Sequence, residues 1–250
     1  MKLPHVLILA LLLCASLSAQ VPDAPRHPAT AIIVDQAGPE IFPESWRTAR
    51  INASAEPLAA EARGRSIELV QHALAKYPAA VLTAHLKAVY VLGGLKYSGV
   101  SAGGTNSRSA VYLVNNAKSS PENFERIFHA EFSSILLRNF PGHLDRAAWQ
   151  KINPPGFVYR GSGVQSIRSK QAGLQLSDAL HAEGFLNEYG QSSVEEDFNG
   201  YASRLLLSDA DLWAAIRRFP GVKAKADLVI AFYGKLDAVF TPEWFRALGP

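Results

Sequence analysis

Apolar positions along this chain recur with two different periods, and the change from one to the other divides it into elements. Across residues 119–140, Phe124, Ile127, Phe128, Phe132, Ile135 and Leu136 follow one another at three- and four-residue spacing, which predicts a buried helix of about five turns. Ser120 can accept from the free N–H groups at its start, Pro121 suits the first helical position, and Glu122 complements the helix dipole. The pattern ends before Pro141-Gly142. A second amphipathic helix is expected over 57–77, where Leu58, Ala62, Ile67, Val70, Ala73, Leu74 and Tyr77 share a stripe that Pro78 ends, and a short helical turn over 81–86.

Between these helices the period shortens. Residues 88–92, 95–97 and 110–114 are aromatic and β-branched runs separated by glycines, so two or three short strands with a loop between them are expected, and 32–34 can begin another. Gly103-Gly104-Thr105-Asn106 lacks the Gly-Lys-Ser/Thr of a phosphate cradle and reads as a turn or bulge. Beyond the central helix, 149–159 reads as a loop around Pro154-Pro155-Gly156, and 160–171 as a polar, mobile surface segment. The rest is helical: 194–206 behind a capping box at Ser193, a helix opened by Ser208 and Asp211 and ending near Phe219, then 222–240, and 242–248 capped by Thr241. No repeat or low-complexity tract interrupts this order.

Composition narrows the class. A chain of 250 residues with 48% hydrophobic and 19% charged residues can bury a substantial core. A formal charge of +3 is no nucleic-acid signature. Residues 1–19 join one lysine, an apolar run and a small-residue end, the pattern of a secretory signal peptide, and 20–31 form a proline-rich N-terminal segment. Secretion or a periplasmic location follows as the expectation, with no stable insertion in a membrane. Leu13 is bulky where a lipid-attachment box needs a small residue before Cys14, so no lipid anchor is expected either. Cys14 is the sole cysteine, and a chain cleaved after residue 19 has no disulfide.

The chemical interest lies in the polar residues of an otherwise apolar helix: His129, Glu131, Ser133 and Ser134. In the zinc-peptidase pattern His-Glu-x-x-His, two imidazoles one turn apart hold the metal and the glutamate serves as general base. Here Ala130 and Ser134 occupy both imidazole positions around Glu131. His129 lies roughly 200° around the helix from Glu131 and cannot join it on one ion in the usual way. Glu131 is alternatively a buried carboxylate paired with Arg108, Arg160 or Arg168. Glu195, Glu196 and Asp197 are expected in the first turn of a helix on dipole grounds alone. His72, His85, His143 and His181 have no ligand-like spacing and read as surface residues. Ser162 stands in Gly161-Ser162-Gly163, which is no nucleophile elbow.

The segments 95–113, Phe128-His129-Ala130-Glu131-Phe132-Ser133-Ser134 and Glu195-Glu196-Asp197-Phe198 resemble the secreted zinc-binding metallopeptidases of bacteria, over roughly residues 89–202. The resemblance implies an α+β, zincin-like domain spanning 32–250: a small mixed sheet packed on a buried helix of active-site type, then a mainly helical half. It places Glu131 at the general base, His129 before the first ligand, Ala130 and Ser134 at the two ligand positions, and Glu196 and Asp197 at a downstream acidic pair lining the site. Zinc is the cofactor it implies, but with both imidazoles gone no metal ligand is assigned here, since carboxylates and serine suit harder cations.

The leading expectation is therefore a secreted metallopeptidase-like protein with a degenerate zinc site. It would act as a peptide-binding or envelope module, with a peptide or protein partner lying along the sheet edge near residues 110–114. The alternatives are an active metal-dependent hydrolase, with Glu131 as base and a metal held by His129, Glu196, Asp197 and another histidine, and a structural envelope protein.

Overall fold

The computed structural model describes residues 30–116 and 119–248. The signal peptide expected over 1–19 and most of the proline-rich segment lie outside the described residues. Two small sheets occupy the first half. In the larger, β1 (Ala31–Ile33) and β3 (Ala88–Leu92) run parallel to β7 (Ala110–Val114), and β6 (Gly104–Asn106) is added antiparallel at the edge, giving the order β1-β3-β7-β6. The smaller sheet pairs β2 (Ser54–Glu56), β4 (Gly94–Tyr97) and β5 (Val100–Ser101) antiparallel, with β4 central.

Strands β3 and β7 read as continuous apolar runs because both faces of the larger sheet are covered. Val89, Val91, Val111 and Leu113 point into the main core with the helices. Ala88, Leu92, Ala110, Tyr112 and Val114 point the other way, onto Ile41, Phe42, Ala53 and the smaller sheet. Tyr112 stacks on its cross-strand partner Tyr90 at 5.0 Å, and its hydroxyl donates to the Ile41 carbonyl at 2.7 Å.

The helices are α1 (Arg63–Leu74), α2 (Ala79–His85), α3 (Pro121–Asn139), α4 (Arg146–Ile152), α5 (Gly163–Arg168), α6 (Asp178–Ala182), α7 (Val194–Leu206), α8 (Ala210–Arg218), α9 (Pro220–Leu236) and α10 (Pro242–Ala247). Helix α3 starts where its signals place it, with Ser120 Oγ accepting from the Asn123 N–H at 3.1 Å. It packs against α1, the sheet and above all α7, whose Ser193 cap accepts from the Glu196 N–H. The α+β class and the helical second half agree with expectation. Among the described residues no helix is long and apolar enough to cross a membrane.

Several expectations change. Five strands, not two or three, lie between residues 88 and 114, because short Gly- and Ser-containing strands carry little β-propensity of their own. Trp149 belongs to α4 rather than to a loop. The segment 160–171 lies at the surface as expected but contains a helix, α5, capped by Ser162 and packed against β5. The cap of α8 is Asp209, not Ser208.

The edge is also elsewhere. Strand β7 is paired on both sides, by β3 and β6, so residues 110–114 offer no free edge; the outer strands of this sheet are β1 and, beside β7, β6. The Val114 N–H donates to the Gly103 carbonyl and the Ser107 N–H to the Ala110 carbonyl. By the alternation of an antiparallel pair, the main-chain groups of Gly104 and Asn106 then turn outward.

Candidate functional site

Where α3 and α7 pack together, each presents two polar side chains three residues apart: Glu131 and Ser134 on α3, Glu196 and Asn199 on α7. A spacing of three keeps each pair on one helix face. Together they form the floor of a cleft of about 860 Å³. Its walls are β6, α5 and the 3-10 turn Tyr189–Gln191.

Glycines let the walls approach the floor. A Cβ on Gly104 would come to 2.5 Å from Ile127 Cγ2 and 3.2 Å from Glu131 Cγ, so only glycine lets β6 lie directly on α3 here. Gly163 similarly meets Tyr189 and Glu196. Gly104→Ala should cost about 1–3 kcal/mol of stability through overpacking, read by urea unfolding. An unchanged midpoint would show that β6 does not rest on α3 as described.

Two carboxylates share this floor. Asn106 Nδ2 donates to Glu131 Oε2 at 2.5 Å. Burial pushes the Glu131 carboxyl up to about 7, against the Asn106 hydrogen bond and Arg138, while Glu195 adds to the rise. Glu196 is driven up to about 8 by burial and by the neighbouring charge of Glu131, and the Tyr189 hydroxyl that donates to it offsets only part of this. Near neutrality the pair therefore holds roughly one proton. At the rim Arg138 pairs with Glu195 at 2.9 Å and also donates to Asn106 and to the Ser107 carbonyl.

Ser134 and Asn199 bond to each other across the helix pair, the amide Nδ2 donating to Oγ at 2.7 Å. Asn199 is 6% exposed, and its Oδ1 is buried with no hydrogen-bond partner among the described residues.

The structure thus brings Glu131, Ser134 and Glu196 together and leaves two of the sequence candidates elsewhere. His129 is fully buried on the other side of α3. Its Nδ1 accepts from the Tyr77 hydroxyl at 2.8 Å, and its Nε2–H donates to Glu125 at 3.2 Å. Burial lowers this imidazole to about 4, against Glu125, so it is neutral at pH 7. Burial would raise Glu125, but hydrogen bonds from His129 and Lys76 outweigh it and hold the carboxylate at about 2.

Asp197 points away from the cleft into a buried knot. There its Oδ2 accepts from Lys225 Nζ at 2.6 Å, Tyr159 at 2.7 Å and Trp149 Nε1 at 3.1 Å. Consecutive helix positions are about 100° apart, so Glu196 and Asp197 serve different faces of α7. His129 and Asp197 are corrected from site-lining to structural residues, and no metal set drawn from them with Glu196 forms.

The arginine pairing that was the alternative for Glu131 does not form with Arg108, Arg160 or Arg168. Arg168 donates to the Ser98 carbonyl, Arg160 to Gln191, and Arg108 is exposed. His181, expected at the surface, is buried against Phe219.

Asn106, Tyr189 and Asn199 were missed. Asn199 had a signal, because it stands three residues after Glu196 as Ser134 does after Glu131. Asn106 and Tyr189 had none, since a three-residue strand and a 3-10 turn bring them in from distant sequence.

The floor offers carboxylate, hydroxyl and carboxamide oxygens, without an imidazole or thiolate. Among the described residues no group of three or more His, Cys, Asp or Glu is arranged to hold a metal ion. Zinc, which takes Cys, His and carboxylate ligands in fours, does not fit this set.

No protein-family model matches the chain, and no curated protein matches it. A crystal structure described as "a putative zinc-binding metallo-peptidase" from Bacteroides caccae is similar with a TM-score of 0.57 at 14% identity, over 89% of this chain and 85% of that one. At that identity the likeness is one of fold.

Proposed function

We propose that this is a secreted protein of zincin-like architecture whose metal site has been replaced, and that it binds an extended peptide along β6 as an envelope module. The observation that carries the reading is the Ser134–Asn199 hydrogen bond. It closes the helix pair with neutral groups beside Glu131, where the resemblance calls for a metal ligand, yet the cleft above stays open. Support comes also from the fold likeness to a protein named as a zinc-binding metallo-peptidase, and from the outward main-chain groups of Gly104 and Asn106, which suit strand addition. Secretion rests on the leader pattern of residues 1–19.

The test is metal content by elemental analysis after dialysis of the purified protein, together with amide hydrogen exchange in the presence of peptide libraries. Far less than one zinc per chain, and slowed exchange at residues 104–106, are expected. Stoichiometric zinc that is lost in Glu131→Gln would sink the reading.

One observation favours a second reading: a carboxyl held near 7 in a cleft is suited to act as a general base. Hydrolysis of a fluorogenic peptide, abolished in Glu131→Gln, would establish that activity. A chain that binds no peptide and hydrolyses none is left with a structural role.

A further inference from the structure

We infer that the floor of the cleft is a receptor for a primary ammonium group, the lysine side chain or the N-terminal amine of a peptide lying along β6. The inference rests on the peptide-binding reading and names what the bound peptide must carry.

Glu131 and Glu196 share one cleft, and among the described residues neither has an ion-pair partner. Five arginines line the cleft, and among the described residues none forms an ion pair with either carboxylate. Arg138 pairs with Glu195 and Arg204 with Asp209, Arg126 and Arg168 donate to the neutral Asn123 and Ser98 oxygens, and Arg50 pairs with neither glutamate. Two neighbouring carboxylates that share about one proton for want of a cation would release it when a ligand of charge +1 binds.

Asn199 narrows the choice. Its Nδ2 is held by Ser134, its Oδ1 has no partner, and it lines the same cleft one helical turn from Glu196. An unmet acceptor at a buried position is costly unless something donates to it.

Glu131 Oε2 is taken by Asn106, which leaves Oε1, and the Tyr189 hydroxyl donates to Glu196. The acceptors left to a ligand are then one oxygen on each carboxylate and Asn199 Oδ1. Three acceptors match the three N–H groups of an ammonium. A guanidinium needs a planar, bidentate partner, and a calcium ion six to eight oxygens, so both fit less well.

The peptide backbone is the natural carrier, because Asn106 belongs to β6 and bonds to Glu131. A strand added to β6 runs beside the pair, and alternate side chains turn toward the floor.

The experiment is calorimetry on wild type, Glu131→Gln and Glu196→Gln, with melting curves to verify folding. The probes are a capped six-residue peptide with one central lysine, the same peptide acetylated on that lysine, a lysine-free peptide with a free N-terminus, n-butylammonium and manganese(II). The lysine peptide should bind at least tenfold more tightly than its acetylated form, and that preference should vanish in both variants. A free N-terminus preferred over the lysine supports the inference and assigns the ammonium to the N-terminus. Binding of n-butylammonium by a chain that takes none of the peptides keeps the ammonium receptor and ends the peptide-binding reading. Equal binding of lysine and acetyl-lysine peptides overturns the receptor and leaves peptide binding intact. One manganese per chain, lost in Glu196→Gln, overturns it in favour of a metal site, and silence from every probe overturns both.

Discussion

Lys225→Met is expected to lower the unfolding free energy by about 3–5 kcal/mol, because it strands Asp197 as an uncompensated charge in a dry interior. In a chain of this size that corresponds to a fall of roughly 10 °C in melting temperature. The ammonium is completely buried and the carboxylate is 1% exposed. Burial alone pushes the Asp197 carboxyl up and the Lys225 ammonium down, and each partner opposes the shift of the other. With Lys225, Tyr159 and Trp149 all donating to one oxygen, the pair is ionic.

The ammonium also sits 3.9 Å above the centre of the Phe185 ring, so methionine keeps the apolar stem against that ring while removing the charge. Adding Asp197→Asn should recover more than half of the loss. Thermal and urea unfolding of the two single variants and the double variant check this as a double-mutant cycle. A loss below about 1 kcal/mol for Lys225→Met would mean that α9 and α7 are not held together by this pair.

The second large effect is a dependence of stability on pH, set by the cleft. The carboxyls of Glu131 and Glu196 lie at about 7 and about 8 in the folded chain, against an ordinary value of 4.5. Between 4.5 and 8 these two sites therefore hold more protons in the folded state than in the unfolded one, and their contribution to stability falls as pH rises through that window.

Glu196→Gln removes one member of the pair and releases the other from its neighbour's charge. The variant and wild type should be about equally stable near pH 4.5. At pH 9 the variant should be more stable by on the order of 2–3 kcal/mol, a figure below the full shift because the cleft admits solvent. Other groups titrate in the same range: His129, lowered to about 4, works in the opposite sense between 4 and 6.5. Comparing the variant with wild type at each pH cancels that contribution. Parallel stability profiles for the two would refute the coupled pair.

The amino-acid order carried the helical framework because the signals involved are local. Ser120, Pro121 and the apolar stripe through Leu136 define α3 without reference to the rest of the chain, and Ser193 and Thr241 likewise place the starts of α7 and α10. Strands β3 and β7 were equally legible, as five-residue apolar runs. The chemistry was half legible: Glu131 stood out as a carboxylate in an apolar helix, and Ala130 and Ser134 told that the zinc pattern around it was broken.

The fold decided the rest. Strands as short as β6 have no period to read, and α5 is a six-residue helix that becomes a wall only because β5 and the cleft are there to receive it. Neither adjacency in sequence nor residue type distinguishes Glu196 from Asp197; the rotation of one position along α7 sends the first into the cleft and the second to Lys225. His129 was drawn into a buried network with Tyr77 and Glu125, and Asn199 was brought to Ser134 from 65 positions away. Helix signals are held within a few residues, whereas a site is a convergence of side chains whose separation along the chain is unrelated to their distance in space.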